Sequence, residues 1–255
     1  MGFAQFLGVV IFSFGPAAAL FFGVLARRAQ LVLLAVSAAF MCVMSMVASG
    51  VLWYVIKPLQ EEASGIIVIG VIFQELFRWA LLALYLRADK HIFELIEHKK
   101  DHKKLLNDFS SSVAMGSGFG IMSTVLLYGG VLEASLVDGD YFTAACPNIS
   151  GFVVSSLLCL LYQVMHIALT IVTLDALRRS QRETSHPTAI LTVRMLLVLV
   201  LHLLVSLLSV MNGDMDLGCK AGMSLQSFSV LLTVAVAVKT ARAPSYGECH
   251  PSSAP

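Results

Sequence analysis

Seven runs of about twenty or more largely apolar residues constrain this chain more than any other feature. They fall at about 3–25, 31–56, 66–86, 113–132, 151–177, 189–210 and 219–238. A helix needs roughly 20 such residues to cross the ~30 Å hydrocarbon core of a bilayer. No water is present there to satisfy an open backbone, so a spanning segment closes its hydrogen bonds internally, as a helix. The expected fold is all-α, a polytopic membrane bundle of seven transmembrane helices. Composition supports this: 58% of the 255 residues are hydrophobic and 13% are charged, about half the charged share of a soluble domain. The connections are short apart from 87–112, and none could hold a soluble domain. Residues 1–242 read as one membrane domain, and 243–255, rich in Pro and Ser, as a disordered cytosolic tail.

Basic residues set the orientation. Thirteen of the 17 Lys and Arg lie in the odd-numbered connections and the C-terminal tail. Only Lys57 and Lys220 lie on the opposite side, while Arg78 and Arg194 fall within spans. This bias places the N-terminus in the lumen or outside and the C-terminus in the cytosol. Because the basic residues follow topology, nucleic-acid binding has no support. The Asn148-Ile149-Ser150 sequon then falls on the lumenal side, with Asn148 as acceptor. Cys146 and Cys219 share that side, where disulfides persist. They are either bridged or two separate thiols, and the second is the simpler reading. Cys42 and Cys159 read as small apolar fillers within spans, and Cys249 as a reduced thiol in the tail.

The first run contains Gly15-Pro16, and a kink is expected there because proline removes a backbone donor and crowds the preceding turn. Ala17-Ala18-Ala19 is like a signal-peptide cleavage site. No basic residue precedes the run, however, so it reads as a retained span. The connection 87–112 carries Ile92, Phe93, Leu95 and Ile96. It reads as a short interfacial helix or as a solvated linker.

Polar and small residues inside the spans carry the remaining information. Gly116, Gly120 and Thr124 are four apart and share one helix face. Such a strip lets two backbones approach, either within this chain or against a partner. In the third span Glu75 and Arg78 are three apart and can pair, with Gln74 beside them. His166 and His202 lie near the middle of the fifth and sixth spans. An ionisable group in lipid requires a partner or a role. One Glu and two His could hold a metal with an open position for water, the outline of a metallohydrolase. These residues come from three helices, and no His-Glu-x-x-His motif is present. The plainer reading is a structural clasp, in which Gln74, Glu75, Arg78, His166 and His202 form a buried polar cluster. Arg194 is expected to snorkel to the cytosolic surface, and Asp175 to sit beside Arg178 and Arg179. Phosphate-binding loops, paired intramembrane aspartates, Gly-x-Ser-x-Gly elbows and Cys-x-x-Cys pairs do not occur in the sequence.

Five blocks, in order on the first, third, fourth, fifth and sixth spans, resemble the anterior-pharynx-defective (Aph) family, a subunit of gamma-secretase. They are Phe14-Gly15-Pro16-Ala17, Gln74-Glu75-Leu76-Phe77-Arg78, Gly116 to Thr124, His166 with Asp175-Ala176, and His202-Leu203-Leu204. The resemblance implies a non-catalytic scaffold that needs no metal or cofactor. It implies assembly with presenilin, nicastrin and the presenilin enhancer, among membrane lipids, for intramembrane proteolysis of type I membrane proteins by an aspartyl protease complex. It also implies residence in the endoplasmic reticulum, Golgi and plasma membrane or endosomes. The family's glycine ladder maps onto Gly116, Gly120 and Thr124, the last a departure from glycine. Its two buried histidines map onto His166 and His202. The family is also similar to CAAX-type intramembrane metalloproteases, whose paired-Glu motif is broken here by Gln74. The alternatives are a metallohydrolase using Glu75, His166 and His202, and an unrelated seven-span receptor.

Overall fold

The structure is a computed structural model that describes residues 2–60, 63–96, 107–137, 139–182, 187–210 and 218–242. Among the described residues, seven helices are long and apolar enough to cross a membrane. They are α1 (Gly2–Gly23), α2 (Ala29–Val55), α3 (Ala63–Ile96), α4 (Asp108–Ala134), α5 (Gly151–Arg182), α6 (Pro187–Leu208) and α7 (Gly218–Ala241). Short 3-10 turns, Leu25–Arg27 and Lys57–Gln60, follow α1 and α2. The expected tail, with Cys249, lies outside the described residues.

Helix α3 departs most from the expected boundaries. It has 34 residues, about 51 Å at 1.5 Å per residue, and so continues well beyond a ~30 Å core. Residues 87–96 are therefore neither a solvated linker nor a separate interfacial helix but the continuation of α3. The physical reason is local: no Gly or Pro interrupts the chain from 71 to 107, and Ala, Leu, Arg and Lys are strong helix formers. On the far side of the connection, Asn107 caps α4, its side chain accepting from the Phe109 amide at 2.9 Å.

Helix α5 is the axis of the bundle. It packs against α1, α3, α4, α6 and α7, and 72% of its span is buried against 17% for α1. The two spans are almost equally hydropathic. What differs is that α5 carries polar groups which other helices can satisfy, including Gln163, His166, Thr170 and Asp175. Helix α4 wedges between α2 and α5. Helix α2 meets it with a stripe of mostly small buried residues, Ala35, Ala38, Cys42, Ser45 and Ser49, spaced three and four apart as one helix face requires.

At one end of the bundle, the α4–α5 connection folds onto the start of α5. The Gly151 amide donates to the Tyr141 carbonyl at 2.8 Å. A Cβ on Gly151 would stand 2.1 Å from the Tyr141 ring, so only glycine permits this approach. Cys146 and Cys219 form a disulfide with a Cα–Cα separation of 5.0 Å, tying this connection to the first turn of α7. Asn148 is exposed beside it. The hydroxyl of its sequon partner Ser150 is engaged twice, donating to Asp140 and accepting from the Phe152 amide.

Candidate functional site

At mid-depth, α3, α5 and α6 bring together four of the five expected polar residues. Glu75 and Arg78 face inward from adjacent turns of α3, each about 1% exposed, and are 3.3 Å apart. His202 of α6 has its Nδ1 2.5 Å from Glu75 Oε1. The carboxylate can only accept, so this nitrogen carries the proton and donates. On the other side, Arg78 Nη2 lies 2.7 Å from His166 Nδ1. A guanidinium can only donate, so His166 accepts here and carries its proton on Nε2. The two histidines are thus opposite tautomers, each set by its charged neighbour. Their rings meet edge to face with centroids 5.1 Å apart.

Arg78 extends the link along α5. Its Nη1 donates to the His166 carbonyl at 3.1 Å and to Thr170 Oγ1 at 3.2 Å. Its guanidinium lies 4.8 Å from the centroid of the Phe119 ring of α4, a cation–π geometry. One side chain therefore contacts α3, α4 and α5. A buried charge at this depth is tolerable because its countercharge and acceptors for both terminal nitrogens are supplied. Gln74, the fifth expected member, is buried but faces α2, where its amide reaches Met46 Sδ at 3.6 Å. It borders the cluster without joining the Glu75–Arg78–His chain.

This arrangement does not fit a metal. The His166 lone pair is directed at a guanidinium, and Glu75 Oε1 is held by both Arg78 and His202. Among the described residues, no three His, Cys, Asp or Glu side chains are grouped to hold a metal ion. The centre between the histidines and Glu75 is occupied by the Arg78 cation. The cluster can clasp three helices, and its one carboxylate is engaged through Oε1, while Oε2 is buried with no hydrogen-bond partner among the described residues. Beside His202 a cavity of about 500 Å3 opens, lined in part by Gln74, Tyr128, Tyr162 and Ser206. It offers hydroxyl, amide and imidazole groups and no ion pair.

The glycine ladder faces the same centre. A Cβ on Gly116 would stand 2.6 Å from Ile167 Cα, and one on Gly120 would stand 3.0 Å from Gln163 Cα. The seam is thus filled by α5 of this chain, at the helix turns that carry His166. Thr124 continues it with hydrogen bonds. Its hydroxyl bonds the Gly120 carbonyl at 3.0 Å and accepts from Gln163 Nε2 at 3.1 Å. Gln163 also donates to the Ser13 carbonyl of α1 at 3.1 Å, one turn before Pro16.

Several residues emerge only in the structure. Gly118 has the tightest seat of the α4 glycines: a Cβ there would stand 1.9 Å from the Ala35 carbonyl oxygen of α2. Spacing from Gly116 and Gly120 shows it off the ladder face but not what it meets. Asp175 pairs with Arg179 at 2.8 Å, as its position suggests. It also pairs with Arg194 of α6, so Arg194 is held between helices rather than simply snorkelling. Arg178 turns away from Asp175, pairing with Asp89 of α3 and, at 2.9 Å, with Asp108 of α4. The Tyr85 hydroxyl adds a bond to Ser111 at 3.1 Å.

The comparisons with known proteins agree on one family. A family model described as Aph-1 protein matches residues 4–244. Gamma-secretase subunit APH-1B of Mus musculus is 27% identical over 213 residues, covering 80% of this chain and 77% of its own length. Gamma-secretase subunit Aph-1 of Drosophila melanogaster is 30% identical over 125 residues, 48% of this chain and 50% of its own. Gamma-secretase subunit Aph-1b of Danio rerio is 27% identical over 148 residues, 54% of this chain and 56% of its own. The matches to the fly and fish relatives thus span about half of their length.

Proposed function

The chain belongs to the Aph-1 family, and on that premise we propose that it is a non-catalytic scaffold subunit of gamma-secretase. Its partners are presenilin, nicastrin and the presenilin enhancer, and the complex is an aspartyl protease that cuts type I membrane proteins within the bilayer. The observation that carries this reading is the state of the mid-membrane cluster. Its one carboxylate, Glu75, is held at Oε1 by Arg78 and His202, and Arg78 joins α3 to α4 and α5. A set of residues arranged in this way stabilises a bundle that other membrane helices can pack against.

The basic-residue bias supports an N-terminus in the lumen and a C-terminus in the cytosol. The Cys146–Cys219 disulfide supports the same sidedness, since it belongs in an oxidising compartment. The compartments are the endoplasmic reticulum, Golgi and plasma membrane or endosomes, where such a complex is built and acts.

Affinity purification of the full chain in mild detergent, followed by mass spectrometry and metal analysis, tests this reading. Near-stoichiometric presenilin, nicastrin and presenilin enhancer are the expected result. A lone chain carrying one zinc and an activity sensitive to chelation would replace the scaffold with the metallohydrolase.

A further inference from the structure

Between α5 and α7 lies a groove of about 470 Å3 that the polar cluster does not use. Val164 to Ile171 lines one wall at helical spacing, and Val234 to Ala241 lines the other. Ala168 and Ala237 are buried within it, and their short side chains leave the groove its depth. Apart from Arg242, which stands at one end, the named lining residues are apolar.

Length and charge together define an occupant. Val234 to Arg242 is nine residues, about 12 Å of helix rise from first to last. One leaflet of a ~30 Å core is about 15 Å deep. A groove of this length is sufficient to seat one leaflet's acyl chain. Lys239, three residues before Arg242, adds a second cation on an adjoining part of the helix surface. Both are exposed, and neither is paired with a carboxylate among the described residues. Lys239 and Arg242 lie at the end of the seventh apolar span, Cys219–Ala241, where basic side chains reach the headgroups while the apolar walls face the tails. Phosphate groups and serine headgroups carry the complementary charge.

We propose that this groove binds a phospholipid with an anionic headgroup, its acyl chain lying between α5 and α7 and its headgroup held by Arg242 and Lys239. Full-length chain reconstituted in nanodiscs of mixed phosphatidylserine and phosphatidylcholine tests this, with native mass spectrometry reading the lipid retained after release. The wild type should retain phosphatidylserine over phosphatidylcholine. Arg242→Gln should lower that preference roughly fivefold, and adding Lys239→Gln should lower it further by a similar factor. Ala237→Phe, which fills the groove, should reduce retention of both lipids. Equal retention of the two lipids by the wild type overturns the proposal, as does a preference that survives Arg242→Gln with Lys239→Gln. The charge variants lie at the exposed end of α7 and decide the question even if Ala237→Phe does not fold. In the assembled complex, a photoreactive phosphatidylserine analogue should label α5 and α7 peptides. Labelling only elsewhere also overturns the proposal.

Discussion

Arg78 shows how one residue can carry a membrane site. Its charge is matched by Glu75, and its donors reach His166 and Thr170. Arg78→Met leaves Glu75 buried beside only one donor, and removing one partner of a buried pair costs about 3–5 kcal/mol. The Glu75→Leu, Arg78→Met double variant removes both charges and should unfold later in a detergent denaturation series than Arg78→Met alone. Identical midpoints would show that the pair is not coupled. His202 acts as a donor to the carboxylate. His202→Leu should therefore cost about 1.5–3 kcal/mol, the range for a hydrogen bond to a charged group. His202→Gln, which keeps an N–H, should recover part of that loss in the same assay. The Glu75–Arg78 pairing was legible because both residues ride one helix three positions apart. Which histidine donates and which accepts was not, because that depends on which charge each one meets.

At the scale of the element, α4 has two working faces. Gly116 and Gly120 seat it on α5, and Gly118 seats it on α2. Gly118 lies about 200° around the helix from Gly116 at 100° per residue, so one small-residue helix serves two close contacts. Gly118→Ala puts a methyl group against the Ala35 backbone, which cannot rotate aside. The expected cost is about 1–3 kcal/mol of overpacking, read as a lower thermal midpoint and lower folded yield. Gly129, on the same helix, has nothing within 4 Å of a built Cβ. Gly129→Ala should be neutral or stabilise by about 0.5–1 kcal/mol through helix propensity. Equal losses in the two variants would remove the case for a special seat at Gly118. The length of α3 was readable from the lack of a breaker, but the end of the apolar run at 86 suggested an earlier stop. Apolarity marks where a helix leaves lipid, not where its backbone hydrogen bonds end.

Across the whole molecule, α5 gathers the interactions that hold the bundle together. The polar cluster fixes it at mid-depth, and Gln163 ties it to α1 and α4. At one end Arg178 joins it to Asp89 and Asp108, while Asp175 receives Arg194 from α6. At the other end the disulfide spans 73 residues and secures α7. Cys146→Ser and Cys219→Ser should each lower stability by about 2–4 kcal/mol. The double variant should be no worse than either single one, because all three lose the same bond. Additive losses in thermal unfolding would mean that the two thiols act separately.

The number of spans, their approximate limits and the residues too polar to lie in lipid without partners could all be read before folding was considered. These follow from apolarity and helical spacing, which are properties of one segment at a time. Packing between helices settled which span becomes the axis. Hydropathy rates α1 and α5 almost alike, yet one lies at the edge and the other at the centre. It likewise decided that Gly118 meets Ala35, that Arg178 passes over Asp175 for Asp89 and Asp108, and that Arg78 stands where a metal would have stood. Each of these outcomes depends on how helices rotate and slide against one another, and no single helix encodes that before its neighbours are in place.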